Sequence, residues 1–127
     1  MFGLSAAVRV YVATAPADMR RGFDGLAALT SQVLRQDPLS GHLFVFVNRK
    51  RDRVKVLYWD RDGLAIWAKR LERGTYRVPA ADAERVELTA AELAALLGGI
   101  DLGTARRRPR YAAPSAAAPP PAGAKAL

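Results

Sequence analysis

The chain has 127 residues, half of them hydrophobic, with a formal net charge of +8 and a pI near 10.6. That length allows one domain with a modest core, and the charge draws it towards phosphates or other anionic surfaces. The absence of cysteine excludes disulfides and thiolate metal sites, and no apolar span approaches transmembrane length, so no membrane partner is expected.

Residues 1–9 lack the basic region and long apolar stretch of a secretory signal, which makes the cytoplasm the expected location. Val8, Val10 and Val12 then alternate with Arg9, Tyr11 and Ala13, the period of a strand, and Pro16 ends it. Asp18 is placed to cap a helix over about residues 19–34, in which Phe23, Leu26, Thr30, Val33 and Leu34 recur at helical spacing. Gly22 and Gly25 each cost such a helix roughly 1 kcal/mol relative to alanine, so its first turns are expected to be loose or closely packed. Arg20 and Arg21 fall near the helix N-terminus, whose backbone N–H groups favour anions. They read either as a phosphate site or as two solvated arginines beside a capping aspartate.

Ser40-Gly41-His42 reads as a turn into a strand. His42 is the sole histidine, so one chain cannot assemble a His pair or a His-based triad. Leu43, Phe44, Val45, Phe46 and Val47 form an apolar run whose β-branched and aromatic content suits a strand buried on both faces. Polar residues 48–52 break it. Over 53–60, Val54, Val56 and Tyr58 alternate with Lys55, Leu57 and Trp59, giving a second strand antiparallel to the first across a hairpin. Asp62-Gly63 is expected to supply positive φ at a tight turn, followed by a third strand over 64–71. Tyr76-Arg77-Val78 offers a short edge strand that Pro79 stops.

Cations crowd this meander. Arg49, Lys50, Arg51, Arg53, Lys55, Arg61, Lys69, Arg70 and Arg73 stand against Asp52, Asp60, Asp62 and Glu72, an excess of five, and the hairpin tip at 48–53 is the densest patch. A basic two-stranded hairpin can enter a DNA groove, and Tyr58 or Trp59 can stack on unpaired bases. The competing reading puts the cations on a solvated face and the aromatics in the core.

Arg85-Val86-Glu87-Leu88 reads as an extended approach to a second helix. Thr89 and Glu92 match a capping box, Leu93, Leu96 and Leu97 form a core-facing stripe, and Gly98-Gly99 stops the helix. Ile100 and Leu102 are expected to pack back onto the domain. Beyond Thr104 the chain carries Arg106, Arg107, Arg108, Arg110 and Lys125 with no acid, so five of the eight net charges lie in the tail and three in residues 1–104. The Pro/Ala-rich tail has too few large apolar residues to offset its ordering entropy, and disorder is expected. Such a tail either fastens onto DNA or RNA nonspecifically or acts as a solubilising extension.

The expected architecture is a small α+β domain over residues 1–104, followed by a disordered tail over 105–127. The domain holds an antiparallel β-meander of about three to five strands, one N-terminal helix packed on it and one short C-terminal helix. Asp18, Asp24, Asp60 and Asp62 are the carboxylates on which a two-metal nuclease would draw. Capping explains Asp18, a turn explains Asp62, and Asp60 sits beside a hairpin. No catalytic residue, metal or cofactor is expected.

Several segments also occur together in an ordered set. They are Val10-Tyr11; Pro16-Ala17-Asp18-Met19-Arg20-Arg21-Gly22-Phe23-Asp24-Gly25-Leu26; Ser40-Gly41-His42-Leu43-Phe44-Val45-Phe46; Tyr58-Trp59-Asp60; Asp62-Gly63; Trp67; and Lys69-Arg70-Leu71-Glu72-Arg73-Gly74. Over about residues 9–102 the chain resembles the TnpB, or Orf2-like, accessory proteins of the insertion-sequence family numbered sixty-six. These are distinct from the RNA-guided nucleases that share the name TnpB. The resemblance implies a part in moving the element, beside a transposase, without an established catalytic motif.

Three functions follow as expectations. The first is a non-catalytic accessory protein that binds element-end DNA through the basic hairpin and arginine tail and assists the transposase. In the second, an adaptor docks on the transposase through an apolar edge strand or the C-terminal helix without touching DNA. The third is a small metal-dependent nuclease relying on Asp60.

Overall fold

The computed structural model describes residues 5–98 and the backbone of 100–101 and 106–107. In chain order the elements are β1 (Val10–Ala13), α1 (Phe23–Gln32), β2 (Leu43–Val47), β3 (Arg53–Asp60), β4 (Gly63–Arg70), β5 (Arg85–Leu88), α2 (Ala90–Gly98), β6 (Ile100–Asp101) and β7 (Arg106–Arg107). The first five strands make one sheet in the order β4-β3-β2-β1-β5, and β6 pairs with β7 in a separate two-stranded ribbon. β1 and β2 run parallel, while every other neighbouring pair in the five-stranded sheet is antiparallel. Parallel pairing requires a crossover connection, and α1 supplies it.

The apolar run of β2 lies in the middle of the sheet, and all five of its residues are buried. Alternation divides the core into two layers. On one face Tyr11, Phe44, Phe46 and Leu57 pack with Met19, Leu26 and Leu34 from α1 and its flanks. On the other, Val10, Val12, Val45, Val54 and Val56 pack with Tyr76 and with Leu93, Leu96 and Leu97 of α2. The α+β class, the β2–β3–β4 meander, the two-faced burial of β2 and the core role of the α2 stripe are therefore as the sequence suggests. α2 opens on a reciprocal capping box: Glu92 N–H donates to Thr89 Oγ1 at 3.1 Å, and Thr89 N–H donates to Glu92 Oε1 at 2.9 Å.

Four local expectations are corrected. The first helix begins at Phe23, with Gly22 as its N-cap and no side-chain cap bond. Asp18 instead closes an Asx turn, accepting the Arg20 N–H at 2.9 Å, because this local bond competes with helix initiation. Starting the helix four residues late leaves Phe23 at its overhanging end, 51% exposed, instead of in the core stripe. At the β3–β4 turn it is Arg61 that takes positive φ (59°), not Gly63; Asp62 N–H donates to the Asp60 carbonyl at 2.6 Å, a three-residue γ-type turn. Residues 76–78 form no strand. Tyr76 is fully buried against the α2-side core, and its N–H donates to the Arg51 carbonyl at 2.7 Å, so burial of the ring fixes this segment.

Arg85–Leu88, expected only as an extended approach, is an edge strand antiparallel to β1. The expected disordered tail, the boundary after Thr104 and the packing of Leu102 lie outside the described residues, apart from the Arg106–Arg107 strand.

Candidate nucleic-acid interface

Strand direction decides where the charge collects. Because β1 and β2 are parallel, both end at the same side of the sheet, where β3 begins and β4 ends. Three loops meet there. Ala17 N–H donates to the Val47 carbonyl at 2.9 Å, tying the segment after β1 to the end of β2, and Leu71 N–H donates to the Asp52 carbonyl at 2.7 Å, tying the segment after β4 to the hairpin tip. Arg20 and Arg21, then Arg49, Lys50, Arg51 and Arg53, then Lys69, Arg70 and Arg73 thus share one end of the molecule. Arg53 and Arg70 are directly paired across β3 and β4, and Arg70 also reaches the Glu72 carboxylate at 3.5 Å.

The hairpin tip is a built structure. Asn48 Oδ1 accepts the N–H groups of Asp52 and Arg53, both at 3.0 Å, while its Nδ2 donates to Asp52 Oδ1 at 2.7 Å. Arg51 is held at φ 62°, a left-handed conformation costing an L-residue about 1–2 kcal/mol. The tip therefore presents Arg49, Lys50 and Arg51 on a closed loop, all three exposed.

Lys55, expected among the contact cations, is spent differently. Its Nζ donates to the carbonyls of Met19 at 2.8 Å and Arg21 at 3.0 Å, so the half-buried ammonium clamps the Arg20-Arg21 turn onto β3. Arg20 forms a bidentate pair with Asp18, its Nε donating to Oδ1 at 3.1 Å and its Nη2 to Oδ2 at 2.8 Å. The Arg20 side-chain hydrogen bond, together with its backbone N–H, holds the Asp18 carboxyl down at about 2, and the carboxylate in turn raises the Arg20 pKa. Arg21 is the better-placed member of the turn: with Arg49 it lines an open cleft of about 380 Å³ whose other walls are Pro16, Ala17, Asp18 and Leu29. Gly25 makes room for this arrangement, since a Cβ there would stand 3.0 Å from the Arg21 Cβ.

Other residues singled out in the sequence do not join this group. Trp59 and Tyr58 sit at the far end of β3, roughly 20 Å from Arg53 at about 3.4 Å per strand residue, and Tyr58 packs against the α2-side core. Arg61 turns between Asp60 and Asp62 at that same far end. Asp18 and Asp24 flank the cationic end, so the four candidate carboxylates are divided between opposite ends of the sheet. Among the described residues no group of three or more His, Asp or Glu side chains is arranged to hold a metal. His42 serves the fold: its Nδ1 accepts the Arg9 N–H at 3.0 Å, and its ring meets Tyr11 edge-on at 6.0 Å. The side chains of Arg106, Arg107, Arg108 and Arg110 lie outside the described residues. What sequence reading missed is Phe23, the exposed aromatic at the cationic end; the only signal for it was the Asx-forming Asp18 and the two glycines that delay the helix.

Fold and surface together define a small α+β protein with cations from three segments gathered at one end of its sheet. The chain belongs to the IS66 Orf2-like protein family, whose model matches residues 8–107. It is 37% identical over 109 residues to a Sinorhizobium fredii protein designated "Uncharacterized protein y4jC", covering 86% of this chain and 93% of that one. It is 43% identical over 94 residues to another from the same organism, "Uncharacterized protein y4hO", covering 74% and 82%. No solved structure matches the chain. Family membership makes it an insertion-sequence accessory protein. Among the described residues no helix is long and apolar enough to cross a membrane.

Proposed function

We propose that this chain is a non-catalytic accessory protein of transposition that acts in the cytoplasm, binding the element's end DNA through its cationic end and assisting the transposase. The observation carrying this reading is the convergence of Arg21, Arg49, Lys50, Arg51, Arg53 and Arg70, from pinned loops and the adjoining ends of β3 and β4, onto one end of the sheet. A rigid cluster of this kind neutralises several phosphates at once and releases their counterions. The test is electrophoretic binding to element-end DNA across a salt series, comparing the native chain with an Arg49→Ser, Lys50→Ser, Arg51→Ser variant. Affinity is expected to fall steeply with salt, and the variant's slope to be shallower by about 0.9 for each phosphate it no longer neutralises. Salt-independent or absent binding by the intact chain would sink the proposal.

A second reading rests on β4. It is the eight-residue strand at the end of the sheet order, apolar from Leu64 to Ala68 and charged only at its C-terminal end. An apolar strand at that position can present its side chains to another protein. In this reading the chain is an adaptor on the transposase, and co-purification of the two would survive both nuclease treatment and the triple serine variant. Loss of co-purification under nuclease would favour DNA as the bridge.

A further inference from the structure

We propose that the cleft between the 16–21 turn and the hairpin tip is a phosphate site, and that it seats the terminal phosphate of a DNA strand between Arg21 and Arg49. The inference rests on the proposed DNA binding and names the part of the ligand that this cleft takes. Three segments build its walls: Pro16, Ala17, Asp18 and Arg21 precede α1, Leu29 lies on α1, and Arg49 belongs to the β2–β3 tip. Hydrogen bonds pin both arginine-bearing segments to the sheet. Ala17 N–H donates to the Val47 carbonyl at 2.9 Å, two residues before Arg49, and Lys55 Nζ donates to the Arg21 carbonyl at 3.0 Å. The Arg21 stem is seated as well. Its Cβ and Cγ would stand 3.0 and 3.1 Å from a Cβ at position 25, so the stem lies on the bare backbone of Gly25, one helical turn before Leu29. This gives a reason for a glycine inside a helix, where it costs stability.

Charge and size select the ligand. Arg20 already matches the one carboxylate on the wall, its Nε on Asp18 Oδ1 and its Nη2 on Oδ2. Among the described residues Arg21 and Arg49 form no ion pair, in contrast to Arg9, Arg20 and Arg70. Two guanidinium groups from separate segments suit the oxygens of one phosphate. The cleft, of about 380 Å³, lies near the lower end of the roughly 300–1,000 Å³ typical of small-molecule sites, so it takes one nucleotide unit and not the width of a duplex. Pro16, Ala17 and Leu29 offer an apolar wall to the attached sugar. A strand end supplies such a unit with a phosphate monoester, charged about −1.5 to −2 at pH 7, whereas an internal phosphodiester carries less charge and has backbone on both sides. Lys50 and Arg51, exposed beside Arg49 on the tip, remain for the phosphates that follow.

The experiment is fluorescence anisotropy of the full chain against internally labelled duplexes of one sequence, ending in a 5′-phosphate, a 3′-phosphate or hydroxyls only. The variants are Arg21→Gln, Arg49→Gln and Gly25→Ala, each checked for native melting. The native chain is expected to favour a phosphate-ended duplex about tenfold, and each glutamine variant to bind all ends within about twofold. Gly25→Ala is expected to lose most of the preference with its melting temperature unchanged or raised, which separates displacement of Arg21 from damage to the fold. Thymidine monophosphate is expected to erase the native preference. Equal binding of all ends by the native chain overturns the terminal-phosphate site and leaves the proposed DNA binding standing. A native chain that binds no duplex overturns both. A preference that persists in both glutamine variants overturns the assignment to this cleft, and loss of transposase co-purification in those variants would then make its occupant an acidic protein segment. Tighter binding of thymidine monophosphate than of the phosphate-ended duplex overturns the strand end as ligand, in favour of a free nucleotide.

Discussion

At the scale of single residues, the lysine and the aspartate nearest the arginine turn do positional work. Lys55 reads in the sequence as one more cation of a basic hairpin, because nothing in a strand's alternation reveals that carbonyls of a distant turn will face its ammonium. Replacing it by methionine keeps the aliphatic stem and orphans the Met19 and Arg21 carbonyls. The expected loss is about 1–2 kcal/mol of stability, measured as a lowered urea midpoint at constant m-value. Asp18 gives a pH signature. Its folded pKa, about 2, lies below the ordinary aspartate value of 3.8, so its contribution is fully present above about pH 4 and is lost as pH falls towards 2. Asp18→Asn should therefore lower the melting temperature at about pH 5, with the gap to the native chain closing as pH falls from about 4 to 2. A gap that stays constant across that window would show that the charge is not what matters.

Among the elements, legibility followed how local the determining interactions are. β2 announced itself through an unbroken apolar run, β3 through strict alternation, and α2 through Thr89 and Glu92, all signals contained within a few residues. The capping box carries its own prediction: Thr89→Ala should cost about 1 kcal/mol and lower the melting temperature, while Thr89→Ser stays near native. The start of α1 was misjudged because Asp18 has two competing local options, and the Asx turn with Arg20 won. Tyr76 suggested a strand by propensity, yet its ring is drawn into a core assembled from β1, β2, β3 and α2, partners that no local pattern names. The same applies to the parallel pairing of β1 with β2 and to the promotion of Arg85–Leu88 to an edge strand.

For the whole molecule, the sequence supplied the amount of charge and the fold supplied its address. Nine candidate cations from three separate segments became one end of the sheet only through the direction of β1 and β2. Five of the eight net charges nonetheless lie beyond Thr104. Changing Arg106, Arg107, Arg108 and Arg110 to serine in the full chain should flatten the salt dependence of the proposed DNA binding, measured as the slope of affinity against salt; an unchanged slope would show that the tail contributes no phosphate contacts.

The antiparallel junction of β1 with β5 also sets a folding order. Val10 pairs with Leu88 and Ala13 with Arg85, more than seventy positions apart, whereas β2, β3 and β4 join through adjacent hairpins. Hairpins close in roughly 1–10 μs, and distant pairings wait on a costlier loop closure. The arginine-bearing tip is therefore expected to form early and the sheet to be sealed last. Leu88→Ala, which removes the buried core contact of the sealing strand, should then speed unfolding with little change in the refolding rate, as stopped-flow denaturant jumps would record.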